Sequence, residues 1–143
     1  MTNTINLLGK TFPRLGMGCW AVGGALYAGE TPLGWSQGDE AARATIAAAY
    51  AAGIRVFDTA PAYGAGHSER LLGQVLKGKD DVLISTKFGV AFDEDTKQAL
   101  GQETSVESLD AAVDASRRRL DRDSLDLLFC HLNTGDIDQM LRL

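Results

Sequence analysis

Four short apolar runs, each followed by a stretch of helical periodicity, recur along the 143 residues at spacings of roughly 30 to 45 residues. They are Leu15 to Cys19, Ile54 to Asp58, Val82 to Lys87 and Leu125 to Cys130. Parallel strands need a crossover long enough to hold a helix, whereas a hairpin needs only a tight turn, so this rhythm specifies βαβ units and a parallel sheet.

The intervening segments fit that reading. Ser36 and Asp39 suit the cap and first turn of an Ala-rich helix over about 39–52, ended by Gly53, with Ile46 and Tyr50 on its buried side. A second helix over about 67–77 carries Leu71, Leu72, Val75 and Leu76 as one stripe and stops at Gly78. A third begins with a capping box, Thr104 and Glu107, and lines one face with Val106, Leu109, Val113, Ser116 and Leu120. Ahead of the first strand, Ile5 to Leu8 and Phe12 to Arg14 form a hairpin about Gly9-Lys10, its second arm weakened by Pro13. After the fourth strand, Gly135-Asp136 opens another helix at Ile137 to Leu143.

Composition narrows the partners. At 45% hydrophobic the chain can fill a core, and a net charge of −5 with a pI near 4.9 argues against nucleic acid or an anionic membrane. Arg117-Arg118-Arg119 falls in the last turn of the third helix, where cations suit the helix dipole. Cys19 and Cys130 are too few for a disulfide framework, no metal-ligand spacing is present, and the default is a reduced thiol. No basic-then-apolar leader and no membrane-length apolar run are seen, so the expected compartment is the cytoplasm.

Two architectures share this pattern, a doubly wound open sheet and a (β/α)8 TIM barrel. Open sheets that bind dinucleotides carry G-x-G-x-x-G after the first strand, and neither Gly16-Met17-Gly18 nor Gly64-Ala65-Gly66 completes it. Reactive side chains instead gather at strand ends: Asp58 closes the second run, Tyr63 follows in its loop, Lys87 closes the third and His131 caps the fourth. Barrel enzymes place their chemistry on that face. A complete barrel takes about 250 residues, so the expectation is half a barrel over residues 1–143, with the C-terminal half absent and open sheet edges prone to self-association.

Taken singly, each of these residues has a plainer explanation as a turn, a packed loop residue or a structural histidine. Lys87 departs most from it, since a lysine is rarely buried without a charged partner, and Asp58 is positioned to be that partner.

Together they resemble the catalytic tetrad of the aldo-keto reductases. Phe57-Asp58-Thr59-Ala60-Pro61-Ala62-Tyr63-Gly64 and Gly66-His67-Ser68-Glu69-Arg70-Leu71-Leu72-Gly73 resemble the family's blocks after strand two. Ile84-Ser85-Thr86-Lys87-Phe88-Gly89 is similar to its lysine strand, Leu125 to His131 to its histidine strand, and Leu15-Gly16-Met17-Gly18-Cys19-Trp20 to its first strand. The resemblance implies reduction of an aldehyde or ketone by hydride from NADPH. Tyr63 would be the proton donor, Lys87 the cation that makes the phenol a better acid, Asp58 the carboxylate that keeps Lys87 charged, and His131 the donor that orients the carbonyl. Gly18, Cys19, Trp20 and Asp58 would lie beside the nicotinamide and Trp20 would wall the substrate pocket, with Trp35 open between pocket and plain packing. The family's grip on the rest of the cofactor comes from the other half of the barrel, so residues 1–143 alone are expected to bind NADPH poorly. Two other readings remain: a Schiff-base enzyme built on Lys87, and a truncated half-barrel or interaction module that retains the tetrad.

Overall fold

The computed structural model describes residues 3–132. In chain order it holds β1 (Thr4–Leu7), β2 (Lys10–Pro13), β3 (Met17–Gly18), β4 (Leu26–Ala28), β5 (Thr31–Leu33), α1 (Asp39–Ala51) and β6 (Val56–Asp58). Then follow α2 (His67–Val75), β7 (Leu83–Phe88), β8 (Val90–Phe92), β9 (Ala99–Gln102), α3 (Val106–Leu120) and β10 (Leu127–Cys130). The helix expected at Ile137 to Leu143 lies outside the described residues.

β3, β6, β7 and β10 form one four-stranded sheet in chain order, every pairing parallel. That order decides between the two architectures: a doubly wound sheet reverses direction at a switch point, whereas a barrel wall adds each strand beside the last. The apolar residues divide by the period of two. Phe57, Val82 and Ile84 pack with Ile46, Leu71, Leu72, Leu76 and Leu120 in a core between the sheet and the helices, and each of these eight is at most 3% exposed. Burying a Leu or Phe side chain contributes about 1.5–3 kcal/mol relative to leaving it exposed, so this layer is the main source of stability. Asp58, Ser85 and Lys87 alternate with that set and so turn to the opposite face, where Phe129 of β10, in register with Lys87, is 50% exposed.

Several boundaries differ from the sequence reading. The first strand contracts from Leu15–Cys19 to Met17–Gly18 because only these two residues pair with β6, and Leu15 is 74% exposed. The N-terminal hairpin turns at Leu8-Gly9, both with positive φ (50° and 74°), which suits a two-residue turn; Pro13 ends its strand opposite Thr4. α1 has Gly38, not a side chain, at its N-cap, while the Ser36 hydroxyl accepts from the Gly38 N–H at 3.0 Å. Ser105, not Thr104, caps α3, accepting from the Ser108 N–H at 3.2 Å, and the Ser105 N–H is met from the N-terminal side by Glu103 rather than from within the helix by Glu107. Val106 is 49% exposed and so leaves the buried stripe assigned to it.

Two connections given no strands in the sequence reading are hairpins. β4 pairs with β5 in the connection after β3, and β8 with β9 in the connection after β7. Their strands are only three or four residues long and half exposed, too short for periodicity to register. The Tyr27 N–H donates to the Lys97 carbonyl at 2.8 Å and the Gln98 amide to the Gly29 carbonyl at 3.2 Å, so the two hairpins are sewn together.

Candidate active site

Parallel pairing aligns the carboxyl ends of β6, β7 and β10, and the candidate residues sit at that rim. Lys87 Nζ lies 2.9 and 2.8 Å from the two Asp58 oxygens, 2.9 Å from the Thr59 carbonyl and 3.3 Å from Tyr63 Oη. An ammonium has three protons and no acceptor, so at Tyr63 it donates, and the phenol keeps its own proton free for a different acceptor. The Lys87 side chain is 15% exposed and its Asp58 partner 45%, which makes this a half-shielded pair open to solvent on the carboxylate side.

His131 stands edge-on to Tyr63, ring centroids 5.8 Å apart and planes at 84°, and its backbone N–H is tied to the Phe88 carbonyl at 2.8 Å. Burial, reinforced by the positive charge of Lys87 and opposed by Asp58, pulls its imidazole below the usual 6.5. The folded value lies below the unfolded one, so the neutral ring's contribution to stability is complete above about pH 6.5 and declines as pH falls through the folded value. An NMR titration of His131 should find its midpoint below 6.5, and Lys87→Met should raise that midpoint by removing the charge; an unmoved midpoint would separate the two groups.

Cys19 is fully buried beside this cluster. Desolvation, with the Asp58 charge adding and the Lys87 charge opposing, pushes its thiol up to about 12. Its reactivity should be correspondingly low: iodoacetamide at about pH 8 should leave Cys19 unlabelled in the native chain and label it after urea unfolding, read by peptide mass spectrometry. The Cys19 N–H donates to the Asp58 carbonyl at 2.8 Å, so of the stretch expected beside the cofactor that amide is already occupied. Gly18, in register with Asp58, is open: a side chain there would meet nothing within 4 Å. Trp20 is half-exposed next to them.

Three partners escaped the sequence reading. Ser85 Oγ donates to Asp58 Oδ1 at 2.8 Å, orienting the carboxylate from below; its place two residues before Lys87, on the same face, was the available signal. Thr59 Oγ1 donates to Ser68 Oγ at 2.9 Å, and Ser68 in turn donates to the Cys19 carbonyl at 3.1 Å, joining the ends of β3 and β6 to α2. Tyr63's loop is closed by Gly64, φ 69°, where a side chain would collide with the Gly23 carbonyl. The third is Glu69, 0% exposed, which accepts from Thr86 Oγ1 and from Arg119 Nε, both at 2.6 Å. Arg119 continues to Glu94 at 2.8 Å, which Arg70 also holds, at 2.7 Å. The basic cluster at the end of α3 therefore does more than complement a helix dipole.

A lysine held by a carboxylate and touching a phenol, with an imidazole against that phenol, is a set able to deliver a proton to an oxygen placed beside the phenol. The model of the aldo/keto reductase family matches residues 14–141. The chain belongs to that family. Its four parallel strands are part of the family's (β/α)8 barrel. Among aldo/keto reductases it is 34% identical over 133 residues to the NADH-specific methylglyoxal reductase of Escherichia coli (strain K12), covering 85% of this chain and 38% of that protein. An aldo-keto reductase from Bacillus halodurans, solved in its holo form, superimposes with a TM-score of 0.75 at 27% identity, over 94% of this chain and 41% of that one. One from Klebsiella pneumoniae in complex with NADPH gives a TM-score of 0.58 at 28% identity, over 93% and 42% of the two chains. The chain spans between 34% and 41% of the length of four curated relatives that it matches. Among the described residues no helix is long and apolar enough to cross a membrane.

Proposed function

We propose that these residues are the proton-delivering part of an NADPH-dependent reductase of aldehydes or ketones. One observation carries the reading: Lys87 Nζ contacts both Asp58 oxygens and, at 3.3 Å, the Tyr63 hydroxyl. A bound reduced nicotinamide would supply the hydride for the carbonyl carbon, and the negative charge that this leaves on the oxygen is what the residues of this chain must neutralise. Tyr63 transfers its proton to that oxygen, and the ammonium 3.3 Å away stabilises the phenolate left behind. Asp58 balances the Lys87 charge, Ser85 fixes the carboxylate, and His131, whose neutral ring retains one N–H, orients the carbonyl from beside Tyr63. The open floor at Gly18, flanked by Asp58 and the half-exposed Trp20, fits a flat ring laid across the end of β3.

The Schiff-base alternative loses support from the same contacts, because an amine engaged with Asp58, Thr59 and Tyr63 has no lone pair to offer a carbonyl. Association is favoured by other residues: β3 and β10 are the edge strands of the parallel sheet, and Phe129 and Leu15 are exposed beside them.

Carbonyl-dependent oxidation of NADPH, followed by absorbance beside an NADH control, tests the reading, and a tenfold or larger NADH preference would overturn the choice of cofactor. Residues 1–143 alone should bind NADPH weakly in a fluorescence titration and elute larger than a monomer in size-exclusion chromatography. Micromolar binding by a monomer would mean that these strands hold the cofactor unaided.

A further inference from the structure

Trp20 and Trp35, the two tryptophans of the chain, meet at the rim although 15 positions of sequence and the β4–β5 hairpin separate them. Their ring centroids lie 5.1 Å apart with planes at 67°, and the two residues remain 48% and 55% exposed. The pair is built, not incidental. Gly34 has φ 104°, and a side chain on it would come within 3.1 Å of the Trp20 indole nitrogen and 3.3 Å of the Gly24 carbonyl, so only glycine lets the chain deliver Trp35 at this point. Ser36, just beyond, reaches the Val22 carbonyl at 3.5 Å and receives the Gly38 N–H at 3.0 Å, tying the segment to the loop that bears Trp20.

Two indoles set at a steep angle make a corner, and each keeps surface open to solvent. A planar ring entering it can stack on one wall and point its edge at the other, the two arrangements that aromatic pairs prefer. Large apolar side chains left exposed together mark a binding surface more often than isolated ones do. The corner is also beside the chemistry: Trp20 follows Cys19, whose N–H is bonded to the Asp58 carbonyl.

We propose that Trp35, with Trp20, forms a subsite for the planar aromatic part of the carbonyl substrate, which makes Trp35 a specificity-determining residue. The inference rests on the reductase reading only in taking the bound ring to belong to a carbonyl substrate.

With no other tryptophan present, intrinsic fluorescence reports this corner alone. Benzaldehyde should quench it saturably, and cyclohexanecarbaldehyde, similar in size but without the flat ring, should do so at least about threefold more weakly. Trp35→Ala, an exposed position whose folding is checked by circular dichroism, should weaken benzaldehyde binding about three- to tenfold as reported by Trp20, while Trp35→Phe should retain it. The quench is read without cofactor and so does not depend on turnover, which tells a reductase reading that fails in turnover apart from a corner that fails to bind. Linear, unsaturated quenching equal for the two aldehydes, or saturable binding indifferent to Trp35→Ala, would overturn the subsite.

Discussion

Tyr63→Phe is expected to lower carbonyl turnover by about 10²–10⁴-fold in any preparation that oxidises NADPH on addition of a carbonyl, the range that a positioned general acid contributes. The variant removes one oxygen and its proton and leaves the ring, with its edge contact to His131, in place. Cofactor binding and folding should therefore hardly change, and the loss should fall on kcat. Lys87→Met should lose activity on a similar scale by a different route: the phenol remains, but its ionised form loses the cation 3.3 Å away. Because the two act as one unit, the double variant should be scarcely worse than either single one. A Tyr63→Phe variant that keeps more than about a tenth of the parent rate would remove the phenol from the mechanism.

The largest effect on stability is expected at the opposite side of the same strand. Arg119→Met leaves the Glu69 carboxylate, 0% exposed, with the Thr86 hydroxyl as its remaining hydrogen-bond partner. Breaking a buried ion pair from one side typically costs about 3–5 kcal/mol, a large fraction of the stability of a small domain. Urea denaturation should show the midpoint falling accordingly, and adding Glu69→Gln should restore part of the loss by withdrawing the stranded charge. A change under about 1 kcal/mol for Arg119→Met would mean that water reaches the carboxylate.

How much of this was legible in the sequence follows from what each feature depends on. The parallel strands and three helices rest on local apolar periodicity, which Leu71, Leu72 and Leu76 or Phe57 and Ile84 display without reference to the rest of the chain. The strand-end positions of Asp58, Lys87 and His131 follow from the same periodicity, so the site could be located before its distances were known. What escaped depends on contacts between distant segments. Glu69 and Arg119 are 50 residues apart, and each alone looks like an ordinary helical surface charge. The β4–β5 and β8–β9 hairpins draw part of their order from each other, which no window of sequence contains. The contact of Trp35 with Trp20 depends likewise on Gly34 and on the loop that carries Trp20, which no single window of sequence contains.

The stitching of those hairpins bears on how such a chain can vary. The Gly29–Glu30 turn belongs to the first strand–helix unit, and Gln98 to the third, in a segment that starts three residues beyond Lys87. A residue inserted at Gly29 would draw its carbonyl away from Gln98 and loosen the amide of Tyr27 from Lys97. Loop lengths on this rim are thus correlated rather than independently adjustable, and a graft that swaps one connection without its mate would misplace both.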